Sequence, residues 1–426
     1  MKKLFLALMA VAAIALVGCK ETQDEPQPQP QPQDGIIQVT HKLGKPVTNP
    51  LRLDLCKDTV SAKATLSSLR CISDIFYYMD YQADMQLDNL LAGNYRTREA
   101  FEAAFDNIMF NPGGEEPSYV PQRMACSGFV CKNDQGEILL GRNFDGDFGP
   151  LLMIFNRTNG AKYVQMTDPC YNSIYYINPE TRKADGTLSN GKAPLHRLLR
   201  QPMATMDGMN EHGLCFGAFQ LPKFDTINIA PICQEGHNDA MGANLFHNLI
   251  LSKCKTVKDV EEFMSQHDFV TNNTTLNVHW LMADATGDWA MFEFWDNKLN
   301  VYREDTLYKM SSNTCTPIPY EWYSIENYYR SWIPYTAYPK PGEATKDNWQ
   351  SYFSSRIRAT HMMNSYWPVM NEMEALKCLQ EGRYSLEVHN KLTNWSCVYN
   401  PKQRTILFAL RNDMSKIYKL DLKTEL

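Results

Sequence analysis

Two rhythms of apolar residues divide the chain. From residue 126 onward short apolar runs, several alternating with small or polar positions, predict strands at 126–131, 137–143, 151–156, 162–166, 214–220, 277–283, 289–295 and 300–303. The turn A-T-G-D joins 277–283 to 289–295, and later runs at 396–400, 405–410 and 416–421 complete the set. Apolar residues returning every three or four positions predict helices at 240–252, 257–265, 356–364 and 371–380. Residues 61–110 read as helical through L-S-S-L-R-C-I-S-D-I-F-Y-Y-M and through T-R-E-A-F-E-A-A-F-D-N-I-M-F, which opens on a capping-type threonine. The loop N-P-G-G-E-E-P at 111–117 then breaks the pattern. Interleaving of this kind defines an α/β or α+β class and nothing finer.

The N-terminus has a different character. Lys2 and Lys3 precede an apolar run, Leu4 to Val17, that is short for a bilayer span and is built like a signal peptide. It ends in L-V-G-C, which resembles a bacterial lipobox. That resemblance implies a signal peptide at 1–18 and lipidation of Cys19, the membrane anchor. An ordinary signal peptide followed by a chance cysteine is the alternative. Lys20 stands where an aspartate would favour inner-membrane retention, so the expected location is the outer membrane, facing the periplasm or the exterior. From Glu25 to Asp34 a P-Q repeat favours an extended chain, making 19–35 a tether between anchor and folded body.

At 426 residues and 44% hydrophobic content the chain can bury a large core. A net charge of -6 without a Lys/Arg run removes the basic field that nucleic acid would require. Twelve cysteines would suit a disulfide framework in an exported protein, but their spacing is scattered, so most are expected to be buried apolar residues with a minority paired. No C-x-x-C occurs, which argues against a structural zinc site.

The candidate chemistry centres on Cys126. It opens the strand C-S-G-F-V-C, and the following strand ends in G-R-N-F-D, so one hairpin brings a thiol together with Arg142 and Asp145. A thiol with an ordinary pKa near about 8.5 is mostly protonated at neutral pH and needs a base. An α-amino group on the same residue, with a pKa of about 7.7–8.0, could supply one, provided the chain is cut between Ala125 and Cys126. By that logic the intact chain is a proenzyme.

The residues from Cys126 to Asp145 resemble the start of the mature chain in the N-terminal-nucleophile (Ntn) cysteine amidohydrolases: choloylglycine hydrolases, penicillin V acylases and, more distantly, acid ceramidase-like enzymes. Further motifs follow in the family's order: D-G-M-N-E-H-G-L (207–214), L-N-V-H-W-L-M-A-D (276–284), M-S-S-N-T (310–314), S-S-R-I-R (354–358) and W-S-C-V-Y-N (395–400). The resemblance implies an α+β fold, a four-layer αββα sandwich with an N-terminal helical segment. It makes 126–426 the catalytic domain and 36–125 a propeptide, or an α subunit associated with the cleaved β chain. In this reading Arg142 lies against the thiol, Asp145 receives the α-ammonium, Asn313 donates to the oxyanion, and the charge of Arg356 supports the site. The second oxyanion donor falls at Gln220, where bile salt hydrolases commonly carry asparagine and penicillin V acylases tyrosine. The implied substrate is a small N-acyl amide, of bile salt, penicillin V or fatty-acyl type, and no metal or other cofactor is required. An acyltransferase, or an inactive lipoprotein binding amphipathic ligands, stands as the alternative. Asn210 is expected to make loop bonds beside Gly213, and His279 and His361 to be core histidines.

Overall fold

The computed structural model describes residues 35–113, 125–146, 149–169, 176–177, 184–185, 188, 194–220, 240–269, 278–295, 298–303, 323–326, 370–381 and 392–426. Among them, seven strands form one sheet in the order β1 (Ile36–Gln38), β21 (Ile417–Asp421), β20 (Thr405–Leu410), β19 (Leu392–Asn400), β6 (Ile138–Gly146), β5 (Ala125–Lys132) and β18 (Tyr323–Glu326). Ten form a second sheet, in the order β17 (Lys298–Tyr302), β16 (Trp289–Trp295), β15 (Val278–Ala283), β12 (Cys215–Gln220), β11 (Thr205–Asn210), β8 (Tyr163–Thr167), β7 (Leu151–Asn156), β4 (Phe76–Tyr81), β3 (Arg70–Ser73) and β2 (Lys45–Pro46). Two small pairs stand apart, β9 (Tyr176–Ile177) with β10 (Ala184–Asp185), and β13 (Ala240–Met241) with β14 (Asp268–Phe269).

The α-helices among the described residues are α1 (Thr59–Ser67), α2 (Leu87–Ala92), α3 (Arg98–Met109), α4 (Ala243–Lys253), α5 (Val257–Ser265), α6 (Glu372–Glu381) and α7 (Leu422–Glu425). Thr97 caps α3 by accepting from the Ala100 N–H, and Thr256 opens α5 with a reciprocal capping box to Asp259. Among the described residues no helix is long and apolar enough to cross a membrane.

Three apolar layers hold these elements together. Between the sheets lie Phe76, Tyr78, Phe144, Met153, Met209, Phe219, Trp395 and Phe408, drawn from both sides. The other face of the ten-stranded sheet packs on α1 to α5 through Tyr77, Met79, Leu66, Leu249 and Val260. The other face of the seven-stranded sheet packs on α6 through Cys131, Leu139, Leu376 and Val398. The result is the αββα order that the resemblance implies. Because the sheets lie between helical layers, their strands bury both faces, as the nine buried residues of β6 and the six of β7 show.

That double burial explains where the periodicity misleads. The stretch around R-C-I-S-D-I-F-Y-Y-M does not continue α1: it forms β3 and β4, antiparallel to each other, with β4 running parallel to β7. A strand apolar on both faces has no alternation, so it mimics a buried helix. The segment before Cys126 is thus only partly helical. It adds β1 to the seven-stranded sheet, through parallel pairing with β21, and β2 to β4 to the other. Neither β11 nor β18 is predicted from the pattern. The strand expected at 137–143 reaches Gly146, so Asp145 lies within it. The helix expected at 356–364 lies outside the described residues.

Candidate active site

Cys126 stands near the start of β5, opposite Phe144 of β6, and Arg142 lies opposite Gly128. Antiparallel pairing with this register brings residues 126 and 142 onto the same inner face. The Arg142 Nη2 donates to the Cys126 sulfur at 3.3 Å and to the Ala218 carbonyl of β12 at 2.9 Å. Arg142 therefore spans the gap between the sheets, anchored in one and bonded to the other. Gly217 leaves it room: a Cβ there would sit 3.2 Å from the Arg142 Cδ, and one on Gly128 would crowd the neighbouring Phe219 ring at 2.8 Å.

A charge of this kind in an apolar layer must be paired. Asp207 of β11, itself fully buried, forms an ion pair with Nη1 of Arg142. It also accepts from the Trp395 indole at 3.1 Å and the Tyr399 hydroxyl at 2.9 Å. Aromatic rings complete the surroundings, with the guanidinium carbon 5.2 Å from the Phe144 centroid and 5.6 Å from that of Phe219.

Asp145 pairs in register with Ala125, placing it across the ladder from the Ala125–Cys126 peptide bond. Its carboxylate accepts from the Thr393 hydroxyl of β19. Just there β19 carries an irregularity between Thr393 and Trp395, and the extra residue, Asn394, donates to Asp168 at 3.4 Å. Bulges re-aim side chains, and this one directs Thr393 to Asp145 and Trp395 to Asp207.

The Cys126 thiol is 5% exposed, and burial pushes its pKa above the ordinary value. Arg142 opposes the rise by its charge and hydrogen bond, while the negative charge of Asp145 adds to it. The thiol is therefore held protonated.

Asn210 accepts from the N–H groups of His212 and Leu214 and donates to the carbonyls of Leu251 and Cys254, the latter at 2.7 Å. It thereby ties the β11–β12 turn to the end of α4. In that turn Gly213 has φ 86°, and a Cβ there would meet the Pro401 carbonyl at 2.3 Å. His279 is buried edge-on to Phe219. A histidine that the pattern does not single out, His247, uses Nδ1 toward the Thr205 carbonyl at 2.9 Å and accepts the Trp280 indole N–H on Nε2 at 2.8 Å. That arrangement fixes the neutral Nδ1–H form, and burial, aided by the charge of Arg142, takes its pKa down to about 3.

Gln220 ends β12 in register with Val278. Asn313, Arg356, His361 and Cys19 lie outside the described residues. Among the described residues no three of His, Cys, Asp and Glu are gathered to hold a metal ion. Eight described cysteines carry free thiols, seven of them buried.

Residues 126–360 match the model of the linear amide C–N hydrolases, choloylglycine hydrolase family. The chain belongs to the choloylglycine hydrolase family. It is accordingly a hydrolase of carbon–nitrogen bonds in linear amides other than peptides. Among solved structures, a conjugated bile acid hydrolase from Clostridium perfringens is similar at 15% identity, covering 71% of this chain and 93% of that one, with a TM-score of 0.41. Penicillin V acylase from Agrobacterium tumefaciens is similar at 14% identity, covering 70% and 87%, with a TM-score of 0.38. An N-acylethanolamine-hydrolyzing acid amidase ortholog from Caenorhabditis elegans is similar at 13% identity, covering 65% and 93%, with a TM-score of 0.36. No curated protein matches the chain.

Asp207, Thr393, Trp395 and Tyr399 are the site residues that sequence reasoning misses. All four lie in or beside motifs visible in the chain, D-G-M-N-E-H-G-L and W-S-C-V-Y-N. The signal was a carboxylate inside an apolar strand, which burial obliges to find a cation.

Proposed function

We propose that this choloylglycine hydrolase family member is an autoprocessed cysteine amidohydrolase whose nucleophile is Cys126. The observation that carries the reading is the Arg142 guanidinium at 3.3 Å from the Cys126 sulfur, with Asp145 across the strand pair from the bond that would be cut. In maturation the sulfur attacks the Ala125 carbonyl carbon, an S–C bond replaces the C–N bond, and the Cys126 nitrogen leaves as an amine after taking up a proton. Water then hydrolyses the thioester to free both the thiol and the carboxyl end of the first chain. The new α-amine is the base that the uncut chain lacks, and Asp145 orients its ammonium form.

On an external amide the same sulfur forms an acyl thioester, releases the amine and is regenerated by water. Asn313 and the Gln220 position supply the oxyanion donors and Arg356 a supporting charge, a set of roles assigned by the family motifs. The substrates proposed are N-acyl compounds of bile salt, penicillin V or fatty-acyl amide type. The segment before Cys126 stays bound as an α subunit, a reading supported by its strands in both sheets. The lipid on Cys19 then keeps the enzyme at the outer membrane.

Intact-mass measurement on the isolated protein, with Cys126→Ala beside it, tests the proposal. The expected result is two chains divided at Ala125/Cys126 in the wild type and a single chain in the variant. The variant should also fail to release amine from any of a conjugated bile acid, penicillin V and a fatty-acyl amide. Hydrolysis by Cys126→Ala at the wild-type rate would place the nucleophile elsewhere.

A further inference from the structure

We propose that Asp207 is the positioning residue of this site: bonded to Arg142 and fixed by Trp395 and Tyr399, it holds the guanidinium against the Cys126 sulfur and offsets part of its charge. This rests on Cys126 being the nucleophile. The geometry assigns the two ends of the guanidinium to different work. Nη1 goes to Asp207, while Nη2 is shared between the sulfur and the Ala218 carbonyl. With the stem of Arg142 rooted in β6 and Asp207 in β11, the ion pair clamps the two sheets at the depth of the nucleophile.

Asp207 is in turn held rigidly. One oxygen accepts from Arg142 and from Trp395, and the other accepts from Tyr399. Trp395 is itself stacked on Phe144 with centroids 4.0 Å apart, so the indole cannot swing away without unstacking from the residue opposite Cys126. Tyr399 and Trp395 are four residues apart on β19 and face the same side, which is why a single strand can supply both donors.

The electrostatic consequence separates this role from simple support. An unpaired Arg142 would act on the sulfur with its full charge and favour the thiolate. Asp207 cancels part of that field, leaving a thiol that stays protonated until a base removes its proton. The other titratable groups facing the pair are Asp145 on β6, Cys215 on β12, Cys397 and Tyr399 on β19 and His247 on α4. His247 is held neutral and the two thiols are raised by burial, so the charges that act at neutral pH are Arg142, Asp207 and Asp145.

The test is the pH dependence of Cys126 alkylation by iodoacetamide on the full chain, read peptide by peptide by mass spectrometry, beside kcat and KM on an amide the wild type cleaves. Asp207→Asn should move the alkylation midpoint down by up to about two pH units, as expected for a charge roughly 6 Å away at an effective dielectric of about 20. The same variant should lower kcat about tenfold or more with KM little changed, because the guanidinium loses its seat. Asp207→Glu should bring the midpoint back toward the wild-type value. Tyr399→Phe keeps the volume and removes one donor, leaving the carboxylate charge less shared, and should move the midpoint the other way, upward by roughly a few tenths of a pH unit. If Asp207→Asn does not accumulate folded, Tyr399→Phe carries the test alone. A midpoint unmoved in folded Asp207→Asn, or unmoved or lowered in Tyr399→Phe, overturns the assignment. A wild type that hydrolyses no amide sinks the amidase reading and leaves the alkylation result to judge Asp207 by itself.

Discussion

Cutting the chain before Cys126 should not release the segment that precedes it, and β4 gives the reason. This strand lies inside the ten-stranded sheet, hydrogen-bonded to β3 on one side and to β7 on the other, with six residue pairs to β7. Phe76, Tyr77, Tyr78, Met79 and Tyr81 are at most 1% exposed. At roughly 2 kcal/mol per fully buried large side chain, uncovering these five would cost about 10 kcal/mol, comparable to the whole stability of an ordinary domain. Phe76 also reaches across to the other sheet, with its ring 5.4 Å from Phe408 and 5.1 Å from Tyr418. Helices α1 to α3 and the ion pairs Arg96–Asp268 and Arg200–Asp106 add to the attachment. The expected outcome is that both mature chains elute together in size exclusion at 1 M salt and separate only in denaturant, with loss of activity. Phe76→Ala should lower the denaturant midpoint of this separation, at a cost of about 3–5 kcal/mol. A catalytic chain beginning at Cys126 that washes off in salt and remains folded and active would refute the reasoning.

Three further outcomes follow from the same structure. Arg142→Gln removes the cation that opposes the rise of the Cys126 thiol, so the alkylation midpoint should move up, and chain cleavage should slow in a mass-spectrometric time course. Asn210→Ala breaks four hydrogen bonds, three of them buried, at the β11–β12 turn and the end of α4, and should destabilise by about 2–4 kcal/mol in chemical denaturation. His247, neutral in the fold with a pKa of about 3, takes up a proton on unfolding near its ordinary value of 6.5. Its contribution to stability is therefore full above pH 6.5 and is lost as pH falls toward 3. Denaturation midpoints at pH 7 and pH 4.5 should differ, and His247→Gln should narrow the difference.

Most strands after Cys126 are readable, β11 and β18 excepted, because they are short and bounded by turns, and the hairpin that joins Cys126 to Arg142 needs only local pairing. The strands before Cys126 were less so. In β4 the residues F-Y-Y-M send alternate side chains into two different apolar layers, Phe76 and Tyr78 between the sheets and Tyr77 and Met79 under the helices. Hydrophobicity cannot distinguish two buried faces from one helical stripe, so the length of the run points to a helix where a strand forms. The parallel pairing of β4 with β7 has no local signature either, since the partners are 75 residues apart in the chain.

The charged residues offer a rule that periodicity does not. In I-L-L-G-R-N-F-D-G all nine residues are buried, and in T-M-D-G-M-N all six are. A cation within one fully buried strand and a carboxylate within another cannot both be left in an apolar layer alone; each would cost several kcal/mol or more to desolvate unpaired. Arg142 and Asp207 satisfy one another, and their pairing fixes which faces of β6 and β11 look inward. Once those faces are set, period-two alternation carries Phe144 inward on β6 and Met209 on β11, and the register of β5 against β6 brings the Cys126 sulfur beside the guanidinium. The ion pair that stands beside Cys126 also ties β6 to β11 and so helps to align the two sheets around it.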